Sequence, residues 1–247
     1  MSGRTALVAC EIFFRELCRL MAESETVYDA VFLPKGLHDL GGAKMREVLQ
    51  AEIDRLSEKE YTRIVLGYCL CNNGTAGLVS RRAPLVIPRA HDCISLFLGS
   101  KQRYDDYFRS HPGTYFHTVG WIERGRQGAE YFDDQMGPSG TGLEEFVSRY
   151  GEDNGRFLWE TIGRPAMLRN YRRIAYISLP GFPDLREESK RVAQERGFDW
   201  EEVEGDICFL RALVNGPHDP AGFLTVAPGQ TVAASYDCRV ICAAPLG

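Results

Sequence analysis

The sequence predicts an α/β fold, a doubly wound and mostly parallel sheet of the Rossmann-like three-layer kind, followed by a second, smaller α/β half. Three observations predict it. Short β-rich runs alternate with longer amphipathic segments, as a parallel sheet with covering helices requires. The β runs are almost wholly apolar, which suits strands covered on both faces. Polar or thiol residues follow each run directly, at Cys10-Glu11, Lys35-Gly36, Cys69-Leu70-Cys71 and Arg89-Ala90-His91-Asp92-Cys93.

Residues 5–9 form the first expected strand, and residues 13–22 follow with Phe13, Phe14, Leu17, Leu20 and Met21 at helical spacing. Residues 27–33 are the second strand. Residues 44–56 are a helix with Met45, Val48, Leu49 and Ile53 on one face. Strands at 63–66 and 85–87 complete the series, with 74–80 read as a short helical connection. Residues 100–142 are irregular and aromatic, with turn signals at His111-Pro112-Gly113 and Gly137-Pro138, and read as a lid or a connecting segment. A helix at 143–162, a strand at 173–178, a helix at 183–196 stopped by Gly197, a helix at 208–214 and a strand at 223–226 build the second half. Residues 235–247 pattern weakly and read as a tail. The division expected is 1–125 and 126–247, as two halves or as one domain.

A chain that is 44% apolar and 26% charged has ordinary globular composition. No apolar run approaches the roughly 18 residues that cross a bilayer, so no membrane is expected. A net charge of −5 with singly scattered Lys and Arg offers no stripe for a phosphate backbone, so no nucleic acid is expected either. The opening residues lead into an apolar run too short for a signal-peptide core, and the expected location is cytoplasmic.

Eight cysteines in that compartment stay reduced, and clustered ones there bind metal or do chemistry. No C-x-x-C pair exists, so neither a local zinc ribbon nor a thioredoxin-like dithiol is expected, and the fold must assemble any site. Ligands in open α/β sheets lie beyond the carboxyl ends of the strands. Cys10, Cys71 and Cys93 follow three different strands and are expected to share one metal, zinc or an iron–sulfur cluster, with His38 or His91 as fourth ligand or as acid/base. A single Cys is more often a small buried hydrophobe, the reading kept for Cys18, Cys69, Cys208, Cys238 and Cys242.

Lys35 and Arg89 are the expected contacts for a small anionic substrate. The loop with Asn72 and Gly74 offers backbone N–H groups at an expected helix N-terminus, a cofactor-binding candidate that lacks the ending of a phosphate loop. Its plainer reading is a tight turn with a cap. Asp92 either orients His91 or caps the helix after it. Tyr104, Tyr115 and Trp121 are lid candidates, or packing.

The segments Ala9-Cys10-Glu11, Leu33-Pro34-Lys35-Gly36-Leu37-His38, Leu66-Gly67-Tyr68-Cys69-Leu70-Cys71, Pro88-Arg89-Ala90-His91-Asp92-Cys93-Ile94, Leu98-Gly99-Ser100 and His111-Pro112-Gly113-Thr114-Tyr115 together resemble the uncharacterised family DUF1638. The resemblance covers most of the chain. The position of Cys69 is commonly glycine there, which favours Cys71 as the ligand. Members are often encoded beside corrinoid-dependent methyltransferases, so the resemblance implies a link to one-carbon metabolism, with a corrinoid or a corrinoid methyltransferase protein as candidate partner. The leading expectation is a metalloprotein enzyme. The alternatives are a non-catalytic accessory protein that binds or delivers a corrinoid, metal or partner, and a metal-free thiol enzyme with Cys71 or Cys93 as nucleophile.

Overall fold

The computed structural model describes residues 3–125, 143–159 and 171–246, without the side chains of residues 38, 39, 144 and 145. The strands, in chain order, are β1 (Thr5–Cys10), β2 (Tyr28–Leu33), β3 (Arg63–Gly67), β4 (Leu85–Pro88), β5 (Thr114–His117), β6 (Arg173–Ser178), β7 (Asp199–Glu204), β8 (Phe223–Val226), β9 (Gln230–Ala234) and β10 (Ile241–Pro245). The helices are α1 (Phe14–Ala22), α2 (Gly41–Leu56), α3 (Ile94–Phe97), α4 (Lys101–Ser110), α5 (Val119–Glu123), α6 (Leu143–Tyr150), α7 (Glu152–Leu158), α8 (Arg186–Arg196) and α9 (Cys208–Asn215).

The chain forms two compact units, and they are not consecutive halves. One comprises Met1–Tyr107, Leu179–Phe182 and Glu204–Gly247, the other Phe108–Ser178 and Pro183–Val203. The division therefore differs from a boundary at 125, because the last part of the chain returns to the first unit, where β8 pairs antiparallel with β4.

The first unit holds a five-stranded sheet of order β2-β1-β3-β4-β8, parallel from β2 to β4. Every residue of β1 and β4 is buried, as the unbroken apolar runs demand, whereas β2 at the edge is only partly covered. Register places Gly67 opposite Ala9, and a Cβ on Gly67 would lie 2.6 Å from the Ala9 Cβ. Helix α2 turns Met45, Leu49, Ile53 and Leu56 inward at three- and four-residue spacing.

Two expectations in this unit are corrected. Residues 74–80 are turns and not a helix, for the reason given below. The expected tail, residues 235–247, contributes β10, which pairs antiparallel with the preceding β9 and buries Ile241; Ala243 and Ala244 blur the alternation that marks a strand.

In the second unit β5, β6 and β7 form a sheet in which β5 and β6 run parallel. Ile174, Val192 and Ala193 form its core, with Tyr115, Tyr171, Phe198 and Trp200 packed around them. Gly197 ends α8 in the left-handed conformation expected of a C-cap. The expected helix at 143–162 is broken at Gly151, whose φ of +81° separates α6 from α7; its end lies outside the described residues, as does the turn at Gly137-Pro138.

Candidate functional site

The strand order reverses between β1 and β3, since the chain leaves β1 for β2 on one side and comes back to β3 on the other. Ligands in parallel sheets lie outside the carboxyl ends at such a reversal. Cys10 ends β1, Tyr68 to Cys71 leave β3, and Cys93 precedes α3. Cys10, Cys69, Cys71 and Cys93 are all buried. The Cys71 and Cys93 sulfurs are 3.2 Å apart. Cys69 lies within electrostatic reach of both, and Cys10 within reach of Cys93. Backbone pairing explains the convergence. Leu70 N–H donates to the Ala90 carbonyl at 2.9 Å and Cys71 N–H to the His91 carbonyl at 3.1 Å, so the β3 and β4 exits continue side by side.

Beyond Leu70 the chain turns left-handed. Cys71, Asn72 and Asn73 have φ of +43°, +53° and +60°. For ordinary residues this costs roughly 1–2 kcal/mol each, least for Asn, and such strain persists only where the surroundings enforce it. Here the enforcing bonds run from Gly74 N–H to the Cys71 carbonyl, 2.8 Å, from Ala76 N–H to the Asn73 carbonyl, 3.2 Å, and from Gly77 N–H to the Val232 carbonyl, 2.7 Å. A left-handed turn cannot run on into a right-handed helix, and these N–H groups are taken by carbonyls. No helix starts at Asn72 or Gly74, and the Gly74 N–H is taken by the Cys71 carbonyl. Gly42, at the start of α2, permits the close approach that holds the loop: a Cβ there would lie 2.3 Å from the Asn72 carbonyl oxygen.

Burial, reinforced by Cys93, pushes the Cys10 thiol up to about 12. Burial raises Cys69 as well, while hydrogen bonds from Cys69 and Cys93 pull Cys71 below the ordinary thiol value. The thiolate form is thus favoured at Cys71 and disfavoured at Cys10 and Cys69. Lys35 lies within electrostatic reach of Cys10 and favours its thiolate; the Lys35 N–H is fixed by the Glu11 carboxylate at 3.0 Å. Three buried hydroxyls in the segments that carry the cysteines, those of Tyr68, Thr75 and Ser95, have no hydrogen-bond partner. Buried polar atoms are nearly always paired, so three such atoms together are informative. Tyr68 has Cys10, Cys71 and Cys93 as electrostatic neighbours, with the Cys10 thiol beside its hydroxyl but outside ordinary hydrogen-bond geometry.

The remaining expected residues fall differently. The Arg89 guanidinium hydrogen-bonds with the carbonyls of Phe223, Arg239 and Ile241, so it clamps the returning end of the chain. His91 is exposed, and its imidazole stands outside the buried cluster. The His38 side chain lies outside the described ones. Asp92 accepts the Ile94 N–H at 2.8 Å and caps α3. Tyr115 accepts from Trp121 Nε1 at 2.8 Å and packs on Tyr171 within the second unit, the packing alternative for these rings. Cys208 and Cys238 are exposed, not buried hydrophobes.

Sequence reasoning left Cys69 as ligand or packing, with packing favoured, and did not single out Tyr68. One signal was present: Cys69 and Cys71 are two apart as they leave a strand, the spacing that puts side chains on one face.

Fold and side chains define an α/β protein with a buried cluster of thiols at the carboxyl edge of a mostly parallel sheet. The chain belongs to the DUF1638 family, described as a protein of unknown function, whose model matches residues 32–214. That stretch contains Lys35, Cys69, Cys71 and Cys93, and Cys10 precedes it. No curated protein and no solved structure matches. Among the described residues no helix is long and apolar enough to cross a membrane. Among them, too, no group of three or more His, Cys, Asp or Glu side chains is arranged to hold a metal ion.

Proposed function

We propose that the protein is a metalloprotein in which Cys71 and Cys93, with Cys10 and Cys69 beside them, take a thiophilic metal as zinc or an iron–sulfur cluster. The supporting observation is the 3.2 Å approach of the Cys71 and Cys93 sulfurs within four buried thiols. Thiolates select such metals over cations that prefer oxygen. Two sulfurs on one tetrahedral zinc stand about 3.8 Å apart, from Zn–S bonds of about 2.3 Å. The observed spacing is therefore that of thiols sharing a hydrogen bond, and ligation asks Cys71 and Cys93 to part by about half an ångström. When bound, the metal supplies Lewis-acid or redox chemistry.

In this reading Lys35 offers its cation to an anionic substrate beside Cys10, and Cys71 is the first thiolate. The first unit is read as a doubly wound, Rossmann-like sheet, which the β2-β1-β3-β4 order supports. A cytoplasmic, metal-dependent transferase linked to corrinoid methyl transfer is the activity class implied by the family resemblance. Anaerobic purification followed by elemental analysis and an absorption spectrum tests the proposal. Stoichiometric zinc or iron is expected, lost in Cys71→Ser; a wild-type protein without stoichiometric metal overturns it.

A second reading, metal-free thiol chemistry at Cys71, is favoured by the hydrogen bonds that stabilise its thiolate. An activity that survives metal removal and is abolished by alkylation of Cys71 would select it.

A further inference from the structure

We infer that Gln50 is a positioning residue whose side-chain amide clasps Val79 and thereby holds the loop that presents Cys71 to Cys93. Arg46, Gln50 and Asp54 follow one another at four-residue spacing on α2, a polar stripe beside the buried one of Met45, Leu49 and Ile53. All three grip residues 76–81. The Arg46 guanidinium donates to the Ala76 carbonyl at 3.1 Å, and the Asp54 carboxylate accepts from Arg81 at 2.8 and 3.3 Å. Between them, Gln50 Oε1 accepts the Val79 N–H at 2.8 Å, while Gln50 Nε2 donates to the Val79 carbonyl at 3.2 Å and to Asp54 at 2.7 Å. A donor meets the amide oxygen and two acceptors meet its nitrogen, so the partners themselves fix its orientation.

Backbone alternation explains why a side chain is needed there. The Leu78 carbonyl accepts the Val232 N–H at 2.8 Å and the Ser80 N–H donates to the Gln230 carbonyl at 2.9 Å, so both residues face β9. Val79, bridged antiparallel to Thr231, turns its N–H and C=O to the opposite edge, where Gln50 supplies both bonds that a neighbouring strand would. From Val79 back to Cys71 the chain has no slack. Leu78 N–H bonds to the Thr75 carbonyl at 3.3 Å, Ala76 N–H to Asn73 at 3.2 Å and Gly74 N–H to Cys71 at 2.8 Å. Cys71, Asn72 and Asn73 are left-handed, and such strain relaxes once the far end of the loop is released. Cys10 is held separately by β1, which pairs with β2 and β3. The inference goes beyond the metalloprotein reading, because it concerns the approach of two sulfurs whether or not they take a metal.

The test compares wild type with Gln50→Met, which keeps the unbranched side chain and the helix preference and has no amide. Native protein is treated with iodoacetamide, and the rates at Cys71 and Cys10 are read by mass spectrometry of peptides. With the two bonds to Val79 lost, Cys71 is expected to react about 10-fold faster through local opening of its loop, while Cys10 keeps its wild-type rate. A residue that served only overall stability would speed both thiols alike. Equal acceleration at the two, or none at Cys71, therefore overturns the inference and leaves the metalloprotein reading standing, since the comparison measures no metal. Should Gln50→Met fail to fold, hydrogen exchange in wild type decides. The Gly74, Gly77 and Val79 amides are then expected to exchange through one shared opening, and separate openings overturn the inference.

Discussion

The Cys71 and Cys93 sulfurs lie 3.2 Å apart although 22 positions separate them, because the chain leaving β3 continues to pair with the chain leaving β4. That juxtaposition brings two thiols from separate loops into one buried environment. It sets the first prediction.

A disulfide needs an S–S distance of about 2.05 Å, so Cys71 and Cys93 have to close by about 1.1 Å. Mild oxidation of metal-stripped protein is expected to give Cys71–Cys93 as the main intramolecular bond in peptide maps. A dominant bond to Cys208 or Cys238 would contradict the cluster.

Burial separates the thiols by reactivity. Cys208 and Cys238 are exposed, while Cys10, Cys69, Cys71 and Cys93 are buried. Maleimide labelling of native protein followed by mass spectrometry is expected to modify the exposed pair at least ~100-fold faster, as hydrogen-exchange-like opening of a core limits access to the rest. Equal rates at Cys71 and Cys208 would count against the buried site.

Gly42→Ala places a Cβ 2.3 Å from the Asn72 carbonyl oxygen, a backbone atom that cannot yield cheaply. A loss of about 1–3 kcal/mol in chemical denaturation is expected, as for other overpacked sites. Metal uptake should fall with it, since the displaced loop carries Cys71. Gly36→Ala, whose Cβ meets nothing within 4 Å, is the control and is expected to stay within about 0.5 kcal/mol.

Burial holds His218 below its ordinary value, assisted by Arg63 and opposed by the Nε2 hydrogen bond to the Leu213 carbonyl at 2.9 Å. The unfolded chain takes up this proton first as pH falls through about 6.5, so the folded state loses stability there and keeps the full contribution above it. Urea midpoints measured from pH 8 to pH 5 are expected to fall more steeply in wild type than in His218→Gln. Parallel profiles would show that His218 does not titrate differently on folding.

The sequence by itself determined the local elements whose pattern is unambiguous. Residues 173–178 and 223–226 were legible as strands from their apolar runs, Gly197 as a helix stop, and Cys10, Cys71 and Cys93 as thiols delivered to one sheet edge by three strand exits. Only the tertiary structure decided that Cys69 joins them, that residues 71–73 turn left-handed, that Arg89 clamps the chain end, and that 230–245 is a hairpin. Each of these depends on a bond between distant residues, such as Gly77 N–H to the Val232 carbonyl or β4 to β8. Hydrophobic periodicity reports which face of a segment is buried, and it carries no information about which remote backbone completes its hydrogen bonds.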